Sequence, residues 1–245
     1  MRFLYVEDSV IDPGRQWAEQ LAQTMERDFV VVPADALDSL PNVGGTAKQI
    51  VRTSEERIPE GGGSIDNLDA DIVFFATACN ARRVQRFLDI ARPFRMPYIF
   101  LTPVMQFPAL QHILAPVTML EEEVHKAELL SHLARYTHAS ITLLTAKDYG
   151  SRARTNTNKI LTFLHAREQA LGTTFIIGEQ TAQSNSMSLY KELMGFDTSL
   201  LVQTASRDYG LDDILFGPVE RKIILHAHAP VALINPRADL FSLCD

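Results

Sequence analysis

Between residues 199 and 236 the chain reads as strand, turn, helix and strand in immediate succession, and few folds accommodate that order. Residues 199–205 (SLLVQTA) are apolar enough for a strand covered on both faces. Gly217 is a candidate N-cap, and Pro218 suits the first helical position, where its fixed φ fits and its missing N–H has no helical partner to lose. Val219, Ile223 and Ile224 then recur at helical spacing, with Glu220, Arg221 and Lys222 on the other face. His226 and His228 are expected in the last turn, where the helix dipole favours cations, and Pro230 stops the helix. The apolar run 231–234, closed by Asn235 and Pro236, is the second strand. A strand–helix–strand unit of this kind crosses over right-handedly onto a parallel sheet.

The same grammar runs through the whole chain. Strands are expected at 2–6, 29–32, 71–76 and 96–101, then at 112–117, 140–146 and 173–177. Helices are expected after Asp12-Pro13 (apolar stripe Trp17, Leu21, Met25) and at 81–91, 121–136, 158–171 and 186–194. Residues 33–64, with three prolines and the triplet Gly61-Gly62-Gly63, break the pattern and read as a loop-rich insertion or an eroded βα unit, with one helix candidate at 46–57. After a proline-bearing connector at 103–108 the opening order begins again. RFLYVED answers to HILAPVT, DIVFFATA to DTSLLVQTA, and MPYIFLTP to APVALINP, in element order and strand character more than in letters. The expected fold is therefore α/β: two tandem Rossmann-like or flavodoxin-like domains, 1–108 and 109–245, each with a mostly parallel five-stranded sheet and helices on both faces.

Charge and composition exclude several functions. A formal net charge of −7 opposes binding to nucleic acid and to anionic membranes. Arg82, Arg83, Arg86, Arg92 and Arg95 form a local basic cluster, which its helical setting makes a solvated face. No apolar run approaches the roughly 20 residues of a membrane span, and Glu7 and Asp8 follow the N-terminus too closely for a secretory signal. Cys79 and Cys244 form no motif, which fits a reducing, cytoplasmic setting.

The register of Gly217, Val219, Glu220, Lys222, His226, Ala227, Pro230 and Val231 resembles the C-terminal end of a universal stress protein domain. There a glycine loop, Gly-x2-Gly-x9-Gly-Ser/Thr, leads into a helix and a His-Ala-x-x-Pro-Val strand. The resemblance implies a tandem member of that family. Its two halves would meet through their last strands, 96–101 and 231–234, as an internal pseudo-dimer, with homodimerisation as a further expectation and the protein partner unknown. Nucleotide-binding members use the glycine loop and an acid after the first strand. On this pattern the candidate nucleotide residues are Thr118, Gly210, Gly217 and Val219. The departures are physical. The earlier motif glycines fall on Thr204 and Arg207, whose side chains restrict φ and crowd a phosphate. The motif hydroxyl falls on Pro218 and the first-strand acid on Thr118. No cofactor is therefore expected. The resemblance implies a stress-response protein that acts by association or regulation and not as an enzyme, with ATP or AMP binding by a degenerate loop as the alternative.

A second alternative rests on the first half. Glu7 and Asp8 after a first strand resemble the Mg²⁺-holding acids of a response-regulator receiver, but Asp71 stands at the start of its strand and no lysine follows 98–103 within that half. His226 and His228, two apart on a helix, face different ways and are not a metal pair. Ser184, Asn185, Ser186 and Ser188 lack the Gly-x-Ser-x-Gly elbow and read as a capping run. His165 has no acid or nucleophile at a meaningful sequence spacing. No catalytic constellation and no metal site emerge.

Overall fold

Alternation of side chains along each strand assigns the core to two faces. Phe3 and Tyr5 of β1 (Arg2–Glu7) point into one buried cluster and Leu4 and Val6 into another. The computed structural model describes residues 2–8, 13–34, 70–171, 177–206 and 218–236. Among these, β1 is followed by α1 (Arg15–Thr24), β2 (Asp28–Pro33), β3 (Ala70–Ala76), α2 (Ala81–Ala91) and β4 (Tyr98–Leu101). Next come β5 (His112–Val117), a 3₁₀ turn (Glu121–His125), α3 (Lys126–Thr137), β6 (Ser140–Thr145) and α4 (Ser151–Leu171). The chain closes with β7 (Ile177–Thr181), α5 (Leu189–Leu193), β8 (Leu200–Thr204), α6 (Val219–His226) and β9 (Val231–Ile234).

The nine strands form one sheet in the order β2-β1-β3-β4-β9-β8-β5-β6-β7. Every neighbouring pair is parallel except β4 and β9, which run antiparallel with Tyr98 opposite Leu233 and Phe100 opposite Val231. Outward from that seam, β4-β3-β1-β2 on one side has the same succession as β9-β8-β5-β6 on the other. The α/β class and the mostly parallel sheet are as the sequence implies. The two halves meet edge to edge through their last strands. One sheet is continuous through β4 and β9, with four described strands on the first side and five on the second. The insertion read at 33–64 lies, from residue 35 onward, outside the described residues.

The helices cover both faces. Trp17 and Leu21 of α1 share a cluster with Leu129 and Leu133 of α3 and Ile160 and Leu164 of α4. Val84, Phe87 and Leu88 of α2 share the other with Leu189 of α5 and Ile223 and Ile224 of α6. Beside the seam, Phe75 of β3 meets Phe87, Phe94, Tyr98 and Phe100 at ring-centroid distances of 5.0–6.2 Å. Tyr98 donates its hydroxyl to Asn235 Oδ1, and Asn235 Nδ2 donates to the carbonyls of Ala91 and Phe94. Gly14 is the N-cap of α1 at φ 71°, and a Cβ there would lie 2.4 Å from the Phe107 ring, so any other residue would be strained and would have to displace that ring.

Several element bounds differ from the periodicity. The turn at Glu121–His125 is 3₁₀, and the α-helix begins only at Lys126. α4 starts at Ser151, seven residues before its obvious apolar stripe, because its first turns bury only Ala153 and Thr157. β7 covers Ile177–Thr181, and of the strand expected at 173–177 only Ile177 lies within the described residues. β7 is a half-exposed edge strand whose polar residues carry no hydrophobic signal. α6 ends at His226, so His228 lies beyond it, and its N-cap is Pro218 with Val219 as the first helical residue. α5 covers only Leu189–Leu193.

At the N-terminal edge of the sheet, Arg27 joins the two halves. Its guanidinium lies 2.8 Å from Asp71, 3.4 Å from His132 Nε2, and over the Tyr136 ring. Desolvation, followed by the charge of Arg27, lowers the His132 pKa, while Asp71 and Glu128 oppose this and Arg135 reinforces it. A histidine held neutral in the folded state contributes stability above its unfolded pKa, and that stability is lost as pH falls. The protein is therefore expected to lose a little stability below about pH 6.5. In His132→Gln, urea midpoints measured from pH 7.5 to 5 should show a shallower slope than wild type. Equal slopes would sink the assignment.

Candidate functional site

In an open parallel sheet, ligands bind beyond the C-terminal ends of the strands where the strand order reverses. The second half has this switch between β5 and β8, which pair at Ile113–Leu200 and Leu114–Leu201. Thr118 follows β5 and Thr204 ends β8, and both are buried. The structure places a carboxylate between them. Glu123 Oε1 accepts from the Thr118 N–H at 3.2 Å and the Thr118 hydroxyl at 2.7 Å. Glu123 Oε2 accepts from the Thr204 hydroxyl at 2.8 Å. Lys126, three residues on, completes the arrangement: its ammonium is 2.5 Å from Glu123 Oε2 and donates to the Pro116 carbonyl.

Glu123 is 2% exposed and Lys126 is wholly buried. A buried ion pair persists only where further hydrogen bonds satisfy both partners, and here the carboxylate meets four donors. Burial lowers the Lys126 pKa, and the Glu123 charge and hydrogen bond raise it in opposition. The 3₁₀ turn is what carries Glu123 back over the strand ends. Glu123 thus stands between the C-terminal ends of β5 and β8, held by residues that follow or end both strands.

Of the sequence-derived candidates, Thr118 stands at these strand ends with its N–H and hydroxyl already engaged. Val219 opens α6, half-buried. Gly210 and Gly217 lie outside the described residues. Beside Val219, Glu220 is 3% exposed and accepts from the Ser206 N–H, which adds a second buried carboxylate near the loop. In the sequence alone Glu123 and Lys126 are indistinguishable from residues of a solvated helix face. Their i,i+3 spacing after a strand ending in Thr118 was the available signal.

The first half has its own switch between β1 and β3. Asp8, 2% exposed, pairs with Arg83 of α2 at 2.5 Å. Asp71 sits at the opposite end of β3, next to the Arg2 end of β1 and paired with Arg27. With roughly 3.3 Å per residue, the length of the strand separates Asp8 from Asp71, so the acids required by a receiver are not brought together. His165 does find an acid, with Nε2 2.5 Å from Glu179 Oε1 across α4 and β7. In the serine-rich loop, Asn185 Oδ1 accepts from the Ser188 N–H and hydroxyl, and Ser186 donates to Asp148. The Glu192 carboxylate accepts from Gln183 N–H and also from Ser184, which lowers its pKa. These bonds fix a loop and present no nucleophile. Among the described residues no group of three or more metal-ligating side chains occurs, and no helix is long and apolar enough to cross a membrane.

The topology defines an α/β protein with a mostly parallel sheet and a reversal of strand order in each half. Its fold is that of the universal stress proteins. A universal stress protein structure from Archaeoglobus fulgidus DSM 4304 matches over 98% of this chain and 88% of that chain, with TM-score 0.53 and 9% identity. A universal stress protein in complex with cAMP matches over 53% of this chain and its own full length, with TM-score 0.40 and 17% identity. A universal stress protein family structure from Burkholderia pseudomallei covers 54% of this chain and 100% of that one, with TM-score 0.37 and 17% identity. No protein-family model matches the sequence, and no curated protein matches it significantly.

Proposed function

We propose that this chain is a tandem universal stress protein, divided as 1–108 and 109–245, that acts by association or regulation and not by catalysis. The antiparallel meeting of β4 and β9 supports the reading of its halves as an internal pseudo-dimer. The observation that carries the non-nucleotide reading is the Glu123 carboxylate between Thr118 and Thr204. A phosphate entering this crevice would meet a negative charge and would have to displace four hydrogen-bond donors from it. Glu220 adds a second carboxylate beside the entry to α6.

The test is ligand-dependent melting. A ligand at a hundredfold excess over its Kd stabilises the folded state by roughly 2.7 kcal/mol, which is easily seen in a chain of this size. ATP, AMP and cAMP are each expected to leave the melting temperature unchanged. A concentration-dependent rise with any of them would establish the nucleotide-binding alternative. The location of Glu123 also changes how binding would be engineered. Thr118→Asp alone would set a second carboxylate against Glu123, so a gain of ATP binding requires removal of Glu123 as well.

A further inference from the structure

The antiparallel seam sets α2 and α6 side by side, and between them lies an open cleft of about 560 Å³. Arg82 and Arg86, one helical turn apart on α2, line it with Arg221 of α6. Gln85 ties the two helices together. It accepts from Arg221 Nη1 at 3.2 Å and donates to Asp89 Oδ1 at 2.9 Å. Ile90 gives the cleft an apolar end. Among the described residues that line it, three arginines stand beside one aspartate, in a chain of net charge −7. Neither half could build it alone, since Arg221 comes from the helix on the other side of the seam.

We propose that this cleft is the docking site for an acidic segment of a partner protein, with carboxylates on the arginines and one apolar side chain over Ile90. The proposal rests on the reading that the protein acts by association. Guanidinium groups favour carboxylates through paired, planar hydrogen bonds. Charge decides between kinds of partner. A short acidic segment feels mainly the charges within a Debye length, about 10 Å at 0.1 M salt. A nucleic acid extends past the cleft into the field of the whole acidic chain. The open trough with an apolar end also suits a side-chain-bearing strand of peptide better than a bare phosphate.

Fluorescence anisotropy with a short labelled peptide of glutamate interspersed with leucine tests this on the full chain. The wild type should bind it, with affinity falling as salt is raised, and should not bind the lysine counterpart. The triple variant Arg82→Ala, Arg86→Ala, Arg221→Ala should weaken binding about tenfold or more. Asp89→Asn, an exposed change that spares the fold, should tighten it. No binding by the wild type, unchanged affinity in a triple variant that melts like wild type, or weaker binding by Asp89→Asn would each overturn the proposal. A single-stranded DNA of matched charge that binds as well as the peptide would reassign the cleft to nucleic acid. Nucleotide melting shifts report on the strand-end crevice, so failure of this proposal is separable from failure of the non-nucleotide reading.

Discussion

Glu123→Ala is expected to destabilise the protein by roughly 3–5 kcal/mol, the usual cost of leaving one member of a buried pair without its partner. For a chain of this length that corresponds to a fall in melting temperature on the order of 10 °C. The cost arises because the buried Lys126 loses its counter-charge and Thr118 and Thr204 lose their acceptor. The deficit should depend on pH in a specific direction. Burial already lowers the Lys126 pKa, and removing Glu123 takes away the charge and the hydrogen bond that raise it. A lysine whose folded pKa lies below its unfolded value of about 10.4 costs stability at neutral pH. Stability then recovers as pH rises from the folded to the unfolded pKa. Urea unfolding of Glu123→Ala should thus show a deficit that narrows toward alkaline pH. Replacing both members, as Glu123→Gln with Lys126→Met, should recover most of the loss, since no unpaired charge remains. A single variant within 1 kcal/mol of wild type would mean that the pair is solvated in solution.

Phe75→Ala is expected to cost about 3–5 kcal/mol, the range for truncating a buried aromatic residue. Phe75 is fully buried and touches four aromatic rings from α2, β4 and the turn between them. Its loss leaves a cavity behind Tyr98, whose hydroxyl links β4 to Asn235 beyond β9. The damage should therefore reach the seam and, through α2, the arginine-lined cleft. Phe75→Leu should cost clearly less, because it refills much of the volume. Chemical denaturation of both variants checks the order, and equal losses would show that packing at this position does not set stability.

The strand–helix alternation, the buried character of the central strands and the repeat of element order were all legible in the letters. They follow from side-chain period and from Gly and Pro punctuation, which act locally. α2 matches its periodicity residue for residue, since Asn80 caps it and Val84, Phe87, Leu88 and Ala91 mark its buried face. What depended on contacts between distant segments was not legible. The family resemblance pointed to a meeting of 96–101 with 231–234, but nothing in the two runs states its antiparallel direction or register, because short apolar runs satisfy many registers equally well. Polar edge strand β7 and the first turns of α4 carried too little hydrophobic signal to be bounded. Arg221 joined Arg82 and Arg86 only because the seam brought two remote helices together. Glu123 and Lys126 follow the same logic. A carboxylate and an ammonium three residues apart look solvated on a helix wheel, and only the strand ends at Thr118 and Thr204, 86 residues apart in sequence, turn them into a buried pair. Local physics chose the elements, while the charges that stand at the strand ends and line the cleft were placed by the packing of one half of the sheet against the other.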